Sequence, residues 1–173
     1  MARHRGEAFQ RELNRSWDYY LEWHYSRVED PAGGVGAKRP ADYLALLPSG
    51  VALLAEAKST VKSALPERNI KPHQIEALLM AERLGHRAYL LINFRDYPRI
   101  NLAFAVGISD AIGMLRDLGR KSIPLKWCQE HAIALPRVSL EIETGEGKIQ
   151  KQKAWDLRPL LDVCLHGPIV EAL

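Results

Sequence analysis

Residues 38–60 read KRPADYLALLPSGVALLAEAKST, two apolar arms meeting at Pro48-Ser49-Gly50. This stretch constrains the fold more than any other, because a hairpin must bury one face and so commits the chain to a sheet. Three-residue hairpin loops often end in a left-handed residue, a place that suits Gly50. With Leu47 and Val51 as the closing pair, Asp42 falls opposite Glu56. Glu56 and Lys58 then share a face, with Leu44 and Leu54 on it nearer the turn. Two carboxylates facing each other across a ladder repel, the more so when half-buried. A divalent cation resolves the conflict, because hard oxygens at that separation can share one Mg²⁺. Lys58 beside it could hold a phosphate oxygen or an attacking water. That is the equipment of metal-assisted phosphodiester hydrolysis, in which ion and ammonium offset the charge growing on phosphorus. The rival reading is a surface hairpin whose Glu56–Lys58 pair is a minor salt bridge. The pattern is short enough to arise by chance, and its apolar setting brings the metal reading level with that rival.

The rest of the chain supplies helices and further strands. Phe9, Leu13, Trp17, Tyr20 and Leu21 fall at helical spacing between Glu7 and His24. A Gly/Pro-rich loop, EDPAGGVGAKRP, leads into the hairpin. Pro72 suits the first turn of a helix to Leu84, stopped by Gly85. Residues 87–94 form a continuous apolar run, read as a buried strand, and 101–107 a second strand after a turn at 96–99. Ser109 can cap a helix to Leu118 and Ser122 a short one through Glu130. LEIET (140–144) reads as a strand and 156–165 as a helix containing Pro159. The order predicts an α/β fold, a mixed sheet flanked by helices rather than a regular doubly wound one.

The 173 residues suggest one domain over 1–173. No apolar run approaches ~20 residues, so no membrane span is expected. MARHRGEAF has no apolar core behind its charges, so no signal peptide is read. Cys128 and Cys164 are too few and too far apart for a zinc site and read as reduced, packed thiols. Net charge is +3, which permits a polyanionic partner without demanding one. The cations cluster in ARHR, GAKRP, GRKS and KIQKQK, the last being the least certain basic patch.

PADY…EAK resembles the catalytic signature of the PD-(D/E)XK nuclease superfamily. Together with RGEAFQRELNRSWDYYL (5–21), PHQIEAL (72–78) and GRKSIPL (119–125), it resembles RecU-type Holliday junction resolvases over roughly residues 5–135. The resemblance implies a restriction-endonuclease-like fold and a homodimeric, Mg²⁺-dependent endonuclease, with Mn²⁺ as a substitute, that cuts four-way DNA junctions by paired nicks. It implies Asp42 and Glu56 as metal ligands, Lys58 as the catalytic lysine, and Gln74 beside the metal and the substrate phosphate. Arg5 would contact DNA. Lys38 and Arg39 before the strand, and Arg120 and Lys121 at a helix start, suit phosphate contact. Where the family usually has a glutamate on the first helix, this chain has Gln10. Glu7, on a neighbouring part of that helix face, could compensate, while Glu12 is expected to face solvent. The loop before Asp42 is shorter than the family's protruding stalk, as in archaeal-type resolvases or a phage-encoded variant. His73 is a candidate second-layer group. Trp17 and Trp127 are expected in packing rather than base stacking. The alternatives are a related nuclease acting on other branched or duplex DNA, and a junction-binding protein impaired in cutting. Composition and the lack of an export signal suggest the cytoplasm.

Overall fold

The computed structural model describes residues 2–20, 25–27, 39–96, 100–143 and 148–166, and within them the side chains of 2–5, 25–27 and 96 are left aside. The hairpin forms with the register that its turn dictates. Strand β2 (Tyr43–Leu46) pairs antiparallel with β3 (Ala52–Thr60), Tyr43 opposite Ala55 and Leu44 opposite Leu54. The Leu47 amide donates to the Val51 carbonyl at 2.9 Å, and Gly50 takes φ +78°, a conformation glycine adopts without a Cβ clash.

Strand β5 (Arg87–Asp96) lies parallel to β3. A parallel pair needs a long crossover, and helix α2 (Pro72–Arg83) provides it. β5 continues antiparallel into β6 (Ile100–Gly107), which pairs with β8 (Ile133–Leu135). β1 (Tyr25–Arg27) closes the other edge, so the sheet runs β1-β2-β3-β5-β6-β8. The turn expected at 96–99 lies, from 97 on, outside the described residues.

Alternation along the strands feeds two cores. On one face Tyr43, Ala55, Ala57 and Leu91 pack against Phe9, Leu13 and Trp17 of α1 (Ala2–Tyr20) and Leu160 of α5 (Arg158–His166). On the other, Leu90, Ile92 and Phe104 pack against Leu78 of α2, Ala111 and Leu115 of α3 (Ile108–Asp117) and Cys128 of α4 (Leu125–His131). The mixed sheet with helices on both faces is the expected fold class. Both cysteines are buried free thiols, and burial pushes Cys128 up to about 12 and Cys164 to about 11.

Two small ribbons stand outside the main sheet: β4 (Ala64–Pro66) with β7 (Ser122–Pro124), and β9 (Arg137–Glu143) with β10 (Ile149–Trp155). They account for several departures from the sequence reading. Ser122 caps no helix, because it pairs with Pro66 in the first ribbon and α4 starts only at Leu125, behind Pro124. KIQKQK is largely strand β10 of a hairpin that packs on α1, and its three lysines stay exposed. Ser109 caps nothing either. β6 runs straight into α3 with Gly107 as the N-cap, and the Ser109 hydroxyl donates to Glu82 instead. Helix α1 is assigned only to Tyr20, and 21–24, including Trp23 and His24, lie outside the described residues.

The largest correction is Glu12. It is 7% exposed rather than solvated. Its carboxylate accepts from Arg95 at 2.5 Å, Arg137 at 2.8 Å and the Trp155 indole at 3.1 Å. Three donors make a buried carboxylate tolerable, and here they fasten α1 to β5, β9 and β10.

Candidate active site

The β2–β3 ladder loosens one residue past Tyr43. There the Asp42 amide donates to the Ala55 carbonyl at 3.1 Å, and the Ala57 amide donates to Asp42 Oδ2 at 2.9 Å. A side chain thus satisfies a sheet amide that would otherwise be orphaned. The other carboxylate oxygen, Oδ1, faces the Arg39 guanidinium at 2.9 Å. Asp42 and Glu56 are each only 2% exposed.

Glu56 and Lys58 project from β3 on the face that α2 covers, with Leu54 beside them in that core. Gln74 joins them because Pro72 starts α2 and so sets Gln74 at its third position. There its Oε1 accepts from the Lys71 amide at 3.2 Å, as capping side chains do. The same oxygen accepts from Lys58 Nζ at 3.0 Å, and Gln74 Nε2 donates to Glu56 Oε1 at 2.7 Å. Lys58 Nζ also donates to Glu56 Oε1 at 2.7 Å. Glu56 Oε1 therefore has two donors, while Glu56 Oε2 is buried with no hydrogen-bond partner. Burial pushes the Glu56 pKa up, Asp42 adds to the rise, and Lys58 and Arg39 oppose it.

An unpaired oxygen on a buried carboxylate costs several times what a made hydrogen bond returns. Nearby Asp42 repels it further. Both defects are removed by one hard cation, and two carboxylates supply oxygen donors of the kind such an ion takes, with water completing its shell. The residues present therefore fit a divalent metal held by Asp42 and Glu56. Among the described residues, no third Asp, Glu, His or Cys completes a cluster with them.

The other sequence-stated residues are spread around this centre. Glu7 is exposed on α1. Gln10 is half-buried there, its carbonyl 3.4 Å from the Tyr43 hydroxyl. Tyr43 belongs to the core on the far face of the sheet. Helix α1 thus packs opposite Glu56 and Lys58, and it brings neither residue into a three-acid cluster. Arg5 lies in α1, and its side chain is outside the described residues, as are Lys38 and the loop of 28–38. Arg39 was read as a DNA contact, and its partner is Asp42. Arg120 and Lys121 are exposed, but they occupy the turn between α3 and β7 rather than a helix start. His73 is half-buried beside Gln74, and Trp127 stacks near His131 at 5.1 Å between ring centres.

Comparison with known proteins gives three findings. The profile of the family described as recombination protein U matches residues 34–143. That span holds Asp42, Glu56, Lys58 and Gln74 and leaves α1, β10 and α5 outside. The chain is 32% identical over 80 residues to the Holliday junction resolvase RecU of Ureaplasma parvum serovar 3. That match covers 46% of this chain and 45% of the relative, so the chain spans less than half the length of that protein. It is also similar to the solved structure of Hjc, a Holliday junction resolvase of Archaeoglobus fulgidus, at 21% identity and a TM-score of 0.47, over 72% of this chain and 93% of that one.

Proposed function

The chain belongs to the recombination protein U family, and from that premise we propose that it is a divalent-metal-dependent endonuclease that cuts four-way DNA junctions by paired nicks. The observation that carries this reading is the pair Asp42 and Glu56, both buried and opposed, with Glu56 Oε2 unpartnered beside the Lys58 ammonium.

Asp42 and Glu56 would hold the ion, Glu56 through Oε2. When bound there, Mg²⁺, or Mn²⁺ in its place, would supply the Lewis acidity that activates water near neutral pH and offsets charge on phosphorus. Lys58 donates to a non-bridging phosphate oxygen or orients the attacking water. Gln74 grips both Glu56 and Lys58, so neither turns away when the site fills. Tethering the ammonium in this way removes a rotational cost from the reacting complex. Arg39, Arg120 and Lys121 contribute phosphate contacts, and Arg5 and Lys38 do so from outside the described residues.

A four-way junction needs two nicks related by two-fold symmetry, which a homodimer with one site per subunit meets directly. Recognition then runs through junction shape and phosphate path rather than base sequence. Such work places the protein in the cytoplasm with its DNA. No described helix is long and apolar enough to cross a membrane. One observation favours a second reading, a junction-binding protein impaired in cutting: among the described residues only two carboxylates converge, and Gln10 adds no charge.

The deciding experiment incubates the protein with a labelled immobile junction, a flap and a plain duplex, with and without Mg²⁺. Symmetric nicks in the junction, dependent on the ion, are expected. Tight junction binding with no nicking under any metal supports the second reading. Preferential cutting of flap or duplex reassigns the substrate.

A further inference from the structure

The β4–β7 ribbon and the turns that flank it carry five exposed cations: Lys62, Arg68, Lys71, Arg120 and Lys121. Hydrogen bonds gather them. The Glu67 amide donates to the Lys121 carbonyl at 3.0 Å, which sets Arg68 beside Arg120 and Lys121. At the other end the Leu125 amide donates to the Ser63 carbonyl at 2.8 Å, next to Lys62. The ribbon interior is apolar: Leu65 and Ile123, cross-strand partners, are both fully buried. The ribbon is therefore a rigid mount with its charges on the outside.

Two further bonds tie this mount to the active site. The Lys62 amide donates at 3.1 Å to Thr60 Oγ1, two residues beyond Lys58. The Lys71 amide donates to Gln74 Oε1, the oxygen that also holds Lys58. Several surface cations elsewhere have acidic partners, as Arg116 has Asp117, Lys126 has Glu130, Lys151 has Glu141 and Arg158 has Asp156, and those without one among the described residues, such as Arg11 and Arg83, are not gathered beside the active site. Among the described residues none of the five ribbon cations is in an ion pair, although one exposed acid, Glu67, sits among them.

We propose that the β4–β7 ribbon, through Lys62, Arg68, Lys71, Arg120 and Lys121, is a phosphate-contact ridge that seats the DNA backbone next to the scissile bond at Lys58. The proposal rests on the endonuclease reading and extends its basic contacts from the 120–121 turn to the 62–71 segment. Unpaired cations beside a hydrolytic centre attract a polyanion and release its counterions on contact. Contacts of this kind position the strand and read no sequence.

The test compares two triple variants of equal charge change. Lys62→Gln/Arg68→Gln/Lys121→Gln removes part of the ridge. Lys148→Gln/Lys151→Gln/Lys153→Gln alters the β9–β10 ribbon, which packs on α1 at the opposite face of the sheet. Binding of a labelled immobile junction and of a duplex is titrated in EDTA over a salt series, with thermal unfolding run alongside. The ridge variant should bind roughly 10- to 100-fold more weakly, and its plot of log affinity against log salt should be shallower by about 2 to 3. The control should stay within about twofold, and Glu67→Gln should bind more tightly than the parent protein. Unchanged affinity and slope in the ridge variant, or an equal loss in the control, overturns the ridge and leaves the endonuclease reading standing. A parent protein that binds neither DNA takes both down. Glu67→Gln reports on the ridge even where the triple variant unfolds, since weaker or equal binding there also counts against it.

Discussion

Glu56 holds its proton more tightly than a free glutamate because burial and Asp42 both oppose its charge. In the metal-free protein the folded state therefore binds more protons than the unfolded chain once pH rises above the ordinary value of 4.5. Stability should fall as pH climbs from there through the raised value. Urea unfolding in EDTA across that window should show the decline, and Mg²⁺ or Glu56→Gln should flatten it. A slope that survives Glu56→Gln would assign it to another group. Asp42→Asn changes charge and little shape, so junction nicking should be lost while binding stays within a few-fold. Persistent nicking removes Asp42 from the ion-holding pair. Gln10→Ala should impair nicking less than Glu56→Ala, since α1 packs on the other side of the sheet, and single-turnover rates give the order. The Asp42–Glu56 opposition was legible in the sequence because a short turn fixes register by itself. The Arg39–Asp42 pair was not, since three residues of irregular chain do not specify where a guanidinium goes.

Helix α1 teaches the limit of periodicity. Its stripe of Phe9, Leu13 and Trp17 is read correctly from spacing, and all three are buried. Glu12 falls off that stripe and was read as solvated. Its donors come from 83, 125 and 143 residues away in sequence, a distance over which no local pattern reports. Removing that carboxylate leaves Arg95 charged and buried without its partner, so Glu12→Ala should cost about 3–5 kcal/mol by denaturant unfolding. A loss below 1 kcal/mol would show that the arginines find water instead. The misread Ser109 and Ser122 have a common cause. Both are residue types that favour caps, and in each case strand pairing decided where the helix begins: β6 runs directly into α3, and β7 holds Ser122 against Pro66 before α4 can start.

The molecule as a whole is a sheet with two unequal faces. Helix α1 with α5 seals one, while α2, α3 and α4 cover the other and leave Lys58 reachable. The order of elements and the mixed sheet follow from sequence patterns, as the crossover rule requires. The small ribbons do not, because three-residue strands such as β4 and β7 exist only through their partners. Paired nicking predicts two chains per junction. Light scattering or sedimentation should give twice the 19.5 kDa chain mass, and a monomer that still nicks both strands simultaneously would separate cutting from assembly. The bond from the Ala57 amide to Asp42 Oδ2 has an evolutionary corollary. The residue proposed to hold the metal is also a splint for the backbone, so a lineage that gave up cleavage could not drift freely there. Its descendants should show asparagine or serine at that position rather than alanine or valine, a scar from which retired enzymes could be told.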